Sequence, residues 1–195
     1  MKCNKLLFFA ISLTMTLLLI IPPIHIVRSE QSQNVNLTRY ENKYLGITID
    51  YPSNWTRTEY DQEESSNIIS FAPSKQISSM LPFFTIQVSN VTTDNKTITE
   101  YIYEHIQDLK RNYLDFKLIE STATILASYP AHRIVYTFQM PYLPEEYKTM
   151  ELWVLNKNKN NLYVIDYTTE TSSYTEYVQV IKHIVNSFYL IDVYH

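Results

Sequence analysis

The sequence predicts an α+β fold: a central antiparallel β-sheet of about seven strands packed between helices, an α/β/α sandwich. Three observations predict it. Most apolar runs after residue 45 alternate with period two, two stretches switch to a helical period, and the breaks carry proline or asparagine in a chain that has a single glycine.

Residues 1–29 stand apart from this pattern. Lys2 and Lys5 precede an apolar run from Leu6 to Ile21, then come Pro22 and Pro23, a short apolar piece from Ile24 to Val27, and a polar exit from Arg28. A basic start, an apolar core and a polar exit make a secretory signal, and a core of about sixteen residues is short for a spanning helix. The exit lacks a clean small-x-small site, so the segment reads as a signal peptide or, uncleaved, as an N-terminal membrane anchor. Either way the remainder is extracytoplasmic, secreted or held at the outer face of the membrane. Residues 30–39 read as a flexible leader, 40–190 as a single domain without linker or repeat, and 191–195 as a C-terminal tail.

Within 40–190 the elements follow in order. After Gly46, Ile47, Ile49 and Tyr51 fall on one face and Thr48 and Asp50 on the other, until Pro52 stops the strand. Asn67 to Phe71 and Phe83 to Val91 read as two more strands, and the acidic piece Tyr60 to Ser66 as a solvated loop. From Ile98 the period becomes helical through Tyr101, Ile102, Ile106, Leu109 and Tyr113, with Thr97 and Glu100 spaced as a capping box. Four strands follow over 116–126, 133–140, 150–155 and 162–168. The run from Asn156 to Asn161 reads as a hairpin tip in which asparagine takes the left-handed backbone that glycine would otherwise supply. Ala127 to Pro130 makes a similar break. A second helix closes the domain, with Ser173 and Glu176 spaced as another capping box and Tyr174, Tyr177, Val178, Ile181, Val185 and Phe188 as its buried stripe.

Composition removes several classes of function. The one cysteine, Cys3, lies in the leading segment, so the exported part can build no disulfide, zinc knuckle or thiol nucleophile. Loss of residues 1–29 removes three bases and no acid, taking the formal charge from −4 to −7. An acidic surface repels nucleic acid and anionic headgroups, and neither is expected as a partner of the mature domain. A nucleophile elbow or a phosphate-cradling loop needs more than one glycine. Asn36, Asn54, Asn90 and Asn95 each open an N-x-Thr acceptor pattern for glycosylation.

The order of local motifs resembles the PsbP-like family, whose best-known member is an extrinsic subunit of the oxygen-evolving photosystem and whose fold group includes a Ran-binding import factor. The matching pieces are Gly46-Ile-Thr-Ile-Asp-Tyr-Pro52 with Trp55, Tyr129-Pro-Ala-His-Arg-Ile-Val-Tyr136, Leu152-Trp-Val to Tyr163-Val-Ile-Asp-Tyr167, and Ile184-Val-Asn-Ser-Phe188. They span nearly all of 40–190. The resemblance implies a central antiparallel sheet between helices and much less about activity, because members of such folds serve as binding subunits in unrelated complexes, and no photosynthetic role is carried over. One departure is local: the family's glycine before the Pro-Ala pair is absent, and Ser128 and Tyr129 stand there.

Among candidate chemistry, oxygen ligands on acidic loops suit calcium or manganese. Asp61, Glu63 and Glu64 form one such loop and Glu145 and Glu146 another, with His132 at a strand entry as a possible nitrogen ligand. Read as plain structure, these are solvated loops and a strand-end imidazole. His105, at the edge of the first helix stripe, reads as a packing histidine, and His183 as a solvated one. The aromatic excess is the remaining signal: Tyr129, Tyr142, Leu143 and Tyr147 surround three prolines in what should be exposed connections, a composition suited to a contact surface. The sequence thus points to a non-enzymatic exported binding or scaffold domain that meets a protein partner at the membrane's outer face. The alternative is a module for a divalent cation or a small ligand, and an enzyme without a recognisable local motif is a third reading.

Overall fold

A computed structural model describes residues 36–62, 66–74, 83–91 and 96–191. Residues 1–35, read above as a signal or anchor and the start of a leader, lie outside the described residues, as do Glu63, Glu64, Asn95 and residues 192–195. Ten strands and two helices run in the order β1 (Leu37–Asn42), β2 (Ile47–Pro52), β3 (Trp55–Gln62), β4 (Ser66–Pro73), β5 (Phe83–Asn90), α1 (Ile98–Asn112), β6 (Leu114–Leu126), β7 (Tyr129–Gln139), β8 (Glu146–Asn156), β9 (Asn161–Glu170), α2 (Tyr174–Ser187) and β10 (Tyr189–Leu190). Seven of the strands form one antiparallel sheet in the order β3-β4-β5-β9-β8-β7-β6, and β1-β2-β10 form a smaller one.

Period-two alternation gives the large sheet two buried faces. Phe84, Ile86, Tyr163, Ile165 and Tyr167 belong to a core shared with α2 and the small sheet, where Ile181, Ile184, Ile47 and Ile49 close over them. On the opposite face Ile134, Tyr136, Phe138, Tyr147 and Trp153 pack against Ile102, Ile106 and Leu109 of α1. The sandwich predicted from the sequence is therefore present, with one layer made of a helix and a three-stranded sheet together.

Two of the elements missed keep most of their side chains in water, Tyr40 and Trp55 apart. β1 falls partly inside the stretch read as a leader, and β3 covers the start of the piece read as a loop. Both are edge strands rich in polar and charged residues, whose hydrogen bonding to β2 and β4 leaves little trace in hydropathy.

Helix α1 is capped as its sequence implies. The Glu100 amide donates to Thr97 Oγ1 at 3.3 Å, and the Thr97 amide donates to Glu100 Oε2 at 2.7 Å. The second capping box does not form. Ser173 has a helical backbone, φ −99° and ψ −4°, and its side chain makes no cap bond, because a capping hydroxyl needs extended backbone at that position. The chain enters α2 through a turn instead, with the Ser173 amide donating to the Glu170 carbonyl at 3.0 Å.

Left-handed turns are made here largely without glycine. Ala127 and Ser128, with φ of 50° and 68°, form a two-residue hairpin turn between the paired Leu126 and Tyr129. Ser128, one of the two residues standing where the family's glycine is expected, thus takes a left-handed backbone. At the β8–β9 tip Asn160 has φ 51°, and the Asn156 side-chain oxygen accepts from the amides of Asn158 and Lys159 at 3.1 and 3.3 Å. Gly46 itself, φ 69°, sits between β1 and β2 where three segments meet. Its carbonyl accepts from the Ile191 amide at 2.8 Å, and the neighbouring Leu45 carbonyl accepts from the Tyr163 hydroxyl at 3.0 Å.

Candidate functional site

Helix α1 lies over the β6, β7 and β8 side of its face, and a cavity of about 340 Å³ opens where it gives way toward β9 and β5. Strand register fills this cavity in rows. β5 contributes Thr85, Gln87 and Ser89, β9 contributes Asp166, Val164 and Leu162 directly opposite them, and β8 adds Glu151 and Trp153. His105 of α1 completes the wall, its ring 4.8 Å from that of Trp153.

Two carboxyl groups face each other across the β8–β9 ladder, Glu151 opposite Asp166. Directly opposed side chains have Cβ atoms about 4.5–5.5 Å apart, where like charges repel. Their surroundings set them apart. Glu151, 5% exposed, is held by donors: the Tyr136 hydroxyl at 2.7 Å, the Trp153 indole N–H at 2.6 Å and the His105 Nε2 at 3.1 Å. Its two oxygens are therefore occupied by donors from β7, β8 and α1. On its neighbour Tyr136 the hydroxyl is pushed up by burial and then by the Glu151 charge.

Asp166 has the Thr168 hydroxyl as its hydrogen-bond donor, 3.1 Å from both carboxyl oxygens. Burial lifts its carboxyl well above the usual carboxylate range, the Glu151 charge adds to this, and the Thr168 bond opposes it.

This carboxyl carries a pH dependence. Unfolded, it ionises near pH 3.9, and folded it ionises higher, so the native state binds its proton more tightly. Its favourable contribution is complete below about pH 3.9 and is lost as pH rises through the folded pKa. An Asp166→Asn chain cannot ionise there. It is expected to be more stable than the wild type at pH 7, with the difference shrinking toward pH 4, as read from urea midpoints across that range. A difference that did not change with pH would contradict this.

The structure separates the residues singled out by sequence. Tyr142 is fully exposed at a turn that it enters with φ 71°, and Leu143 beside it is exposed as well. Tyr147 is 1% exposed and belongs to the α1-side core, stacked near Phe138, its cross-strand partner. Its position in the β8 alternation, hidden by the adjacent prolines and acids, turns it inward. Tyr129 lies at the other end of β7, ten residues from Gln139, or about 33 Å along a strand. The four residues therefore form no common surface.

His132 lies on β7, where its Nε2 is 2.8 Å from the Ser121 hydroxyl and partial burial lowers its pKa. Asp61 is in β3, five strand spacings away in the sheet, about 24 Å, so the two cannot share an ion. Among the described residues no three His, Cys, Asp or Glu side chains are grouped so as to hold a metal ion. Asn36, Asn54 and Asn90 are exposed, and Trp55 beside Asn54 is buried. His183 is exposed, as its helix position implied.

A family model described as PsbP-like protein matches residues 25–190. The chain belongs to the PsbP-like proteins. Solved structures agree on this fold. The cyanobacterial PsbP (CyanoP) of Synechocystis matches with a TM-score of 0.57 and 15% identity over 82% of this chain and 95% of its own. The Ran-binding protein Mog1p of Saccharomyces cerevisiae matches at 0.55 and 11% over 81% of this chain and 97% of its own. LpqN of Mycobacterium tuberculosis, described as involved in cell envelope biogenesis, matches at 0.58 and 10% over 82% and 92%. No curated protein matches the sequence.

Within this PsbP-like chain the cavity's main groups, Glu151 and Asp166, escape a motif search because they are single acids in apolar strands. A signal was nonetheless present. Counting five residues back from Asn156 and five forward from Asn161, the ends of the predicted hairpin tip, reaches Glu151 and Asp166. Opposed acids in two buried strands are costly unless they serve a purpose.

Proposed function

We propose that this PsbP-like protein is an exported, non-enzymatic binding domain at the outer face of the membrane, and that its ligand enters the cavity beside α1. The observation that carries the reading is the cavity itself, with a Glu151 held by three donors beside an under-supported Asp166. Concave sites with apolar walls and a few converging polar groups are where small ligands bind. The leading segment supports export, and a fold shared with a Ran-binding protein supports binding in place of turnover. A protein partner remains part of this reading through the exposed Tyr142–Leu143 turn, separate from the cavity.

Ligand-observed NMR on the full chain with a panel of small cations, anions, sugars and amides tests it. Saturable contacts with at least one class, and unchanged spectra of every compound after long incubation, are expected. Conversion of a bound compound would overturn the non-enzymatic reading, and a panel without a binder would overturn the cavity as a ligand site. Protease added to intact cells should cleave the domain if it faces outward.

A further inference from the structure

The cavity's chemistry narrows what it can hold. Glu151 is already taken up by Tyr136, Trp153 and His105, which leaves Asp166 as the cavity-lining carboxyl with the fewest donors. No basic side chain among the described residues pairs with Asp166, whose hydrogen-bond donor is the neutral Thr168 hydroxyl. Beside it stand the neutral acceptors and donors of Thr85, which is directly opposite on β5, and of Gln87. An anion entering here would meet two acids at close range. Calcium needs about six to eight oxygen ligands, more than this wall leaves free.

A second feature is the aromatic and apolar lining. Trp153 pairs across the ladder with Val164, two residues from Asp166 on the same face of the sheet. Such diagonal neighbours lie about 7–8 Å apart. The interval between carboxyl and indole suits a head group joined to a short aliphatic stem, and indole is the ring that attracts cations most strongly.

Resting on the reading of this cavity as a ligand site, we propose that it receives a small free organic cation, a primary ammonium or guanidinium. The charged head meets Thr85 and Asp166, whose carboxyl releases its proton to solvent as the cation arrives, and a stem of about four carbons lies along Trp153, Val164 and Leu162. A guanidinium fits the planar carboxyl best, because it can donate two parallel hydrogen bonds.

Four probes built on four-carbon chains with different heads decide the matter: n-butylguanidine, n-butylamine, n-butanol and butyrate, each titrated calorimetrically into the full chain at pH 7. The two cations are expected to bind saturably, with butanol and butyrate at least tenfold weaker. Asp166→Asn should weaken both cations about tenfold or more while melting no lower than the wild type, so that loss of binding is not loss of fold. Trp153→Phe serves as a second variant and should cost about threefold. Silence of both cations, or equal binding by the Asn variant, would overturn the proposal. Binding of butanol or butyrate in preference would overturn it too while leaving the cavity a ligand site. The blocked peptide acetyl-Gly-Arg-Gly-amide separates a free ligand from a partner's side chain, and tighter binding of the peptide than of n-butylguanidine would overturn the assignment to a free cation.

Discussion

Replacing Tyr147 by alanine is expected to lower folding stability by about 3–5 kcal/mol, the range for truncating a large buried aromatic. The ring is enclosed between the sheet and α1 with Ile134, Tyr136 and Phe138, and its centroid is 5.8 Å from that of Phe138. Alanine would leave a void bounded by two aromatic strands and a helix, none of which can close on it without breaking ladder register. Tyr142→Ala, five residues earlier, should change stability by less than about 0.5 kcal/mol, since the side chain touches little but water. Urea melts of both variants make the comparison. If the two tyrosines proved equal, the inward placement of Tyr147 would be wrong.

Gly46→Val should cost about 2–4 kcal/mol. A left-handed residue with a side chain costs about 1–2 kcal/mol, and β-branching makes this conformation a genuine outlier. Space adds to it: a Cβ on Gly46 would meet Lys159 Nζ at 2.9 Å and the Ile191 carbonyl oxygen at 3.3 Å. The lysine can swing away, but it then gives up its bond to the Ile191 carbonyl. That carbonyl is backbone and belongs to the segment whose amide donates to Gly46. Gly46→Ala should show the smaller part of the loss, and a valine variant as stable as wild type would show that the turn adopts another shape.

Much of this was legible in the sequence, and the rest was hidden for identifiable reasons. Thr97 and Glu100 announce α1 because a capping box is local and its partners lie within one turn. Asn156 to Asn161 announces a hairpin for the same reason. Ser173 and Glu176 have the same spacing but fail, because the backbone entering α2 comes from a turn that sequence spacing does not encode. β1 and β3 are held mainly by hydrogen bonds along one side of each strand, and such bonds are indifferent to side-chain type. In the cavity, His105 read as a packing histidine, and it does pack, on Trp153; that it also donates to Glu151 depends on a contact 46 residues away.

The pairing of β10 with β2 bears on when this protein can finish folding. Tyr189 and Leu190 bond to Thr48 and Ile47, and Ile191 reaches the Gly46 carbonyl. Synthesis runs from the N-terminus, so the first hairpin is complete long before its third strand exists. Until then one edge of β2 is open, and the core beneath α2 lacks its lid. Closing so long a loop is entropically expensive and slow compared with forming the β8–β9 hairpin. A nascent chain stalled before residue 184 would hold its sheet hairpins yet leave Ile47 and Ile49 uncovered, so residues 184–191 act as the latch that ends the folding reaction.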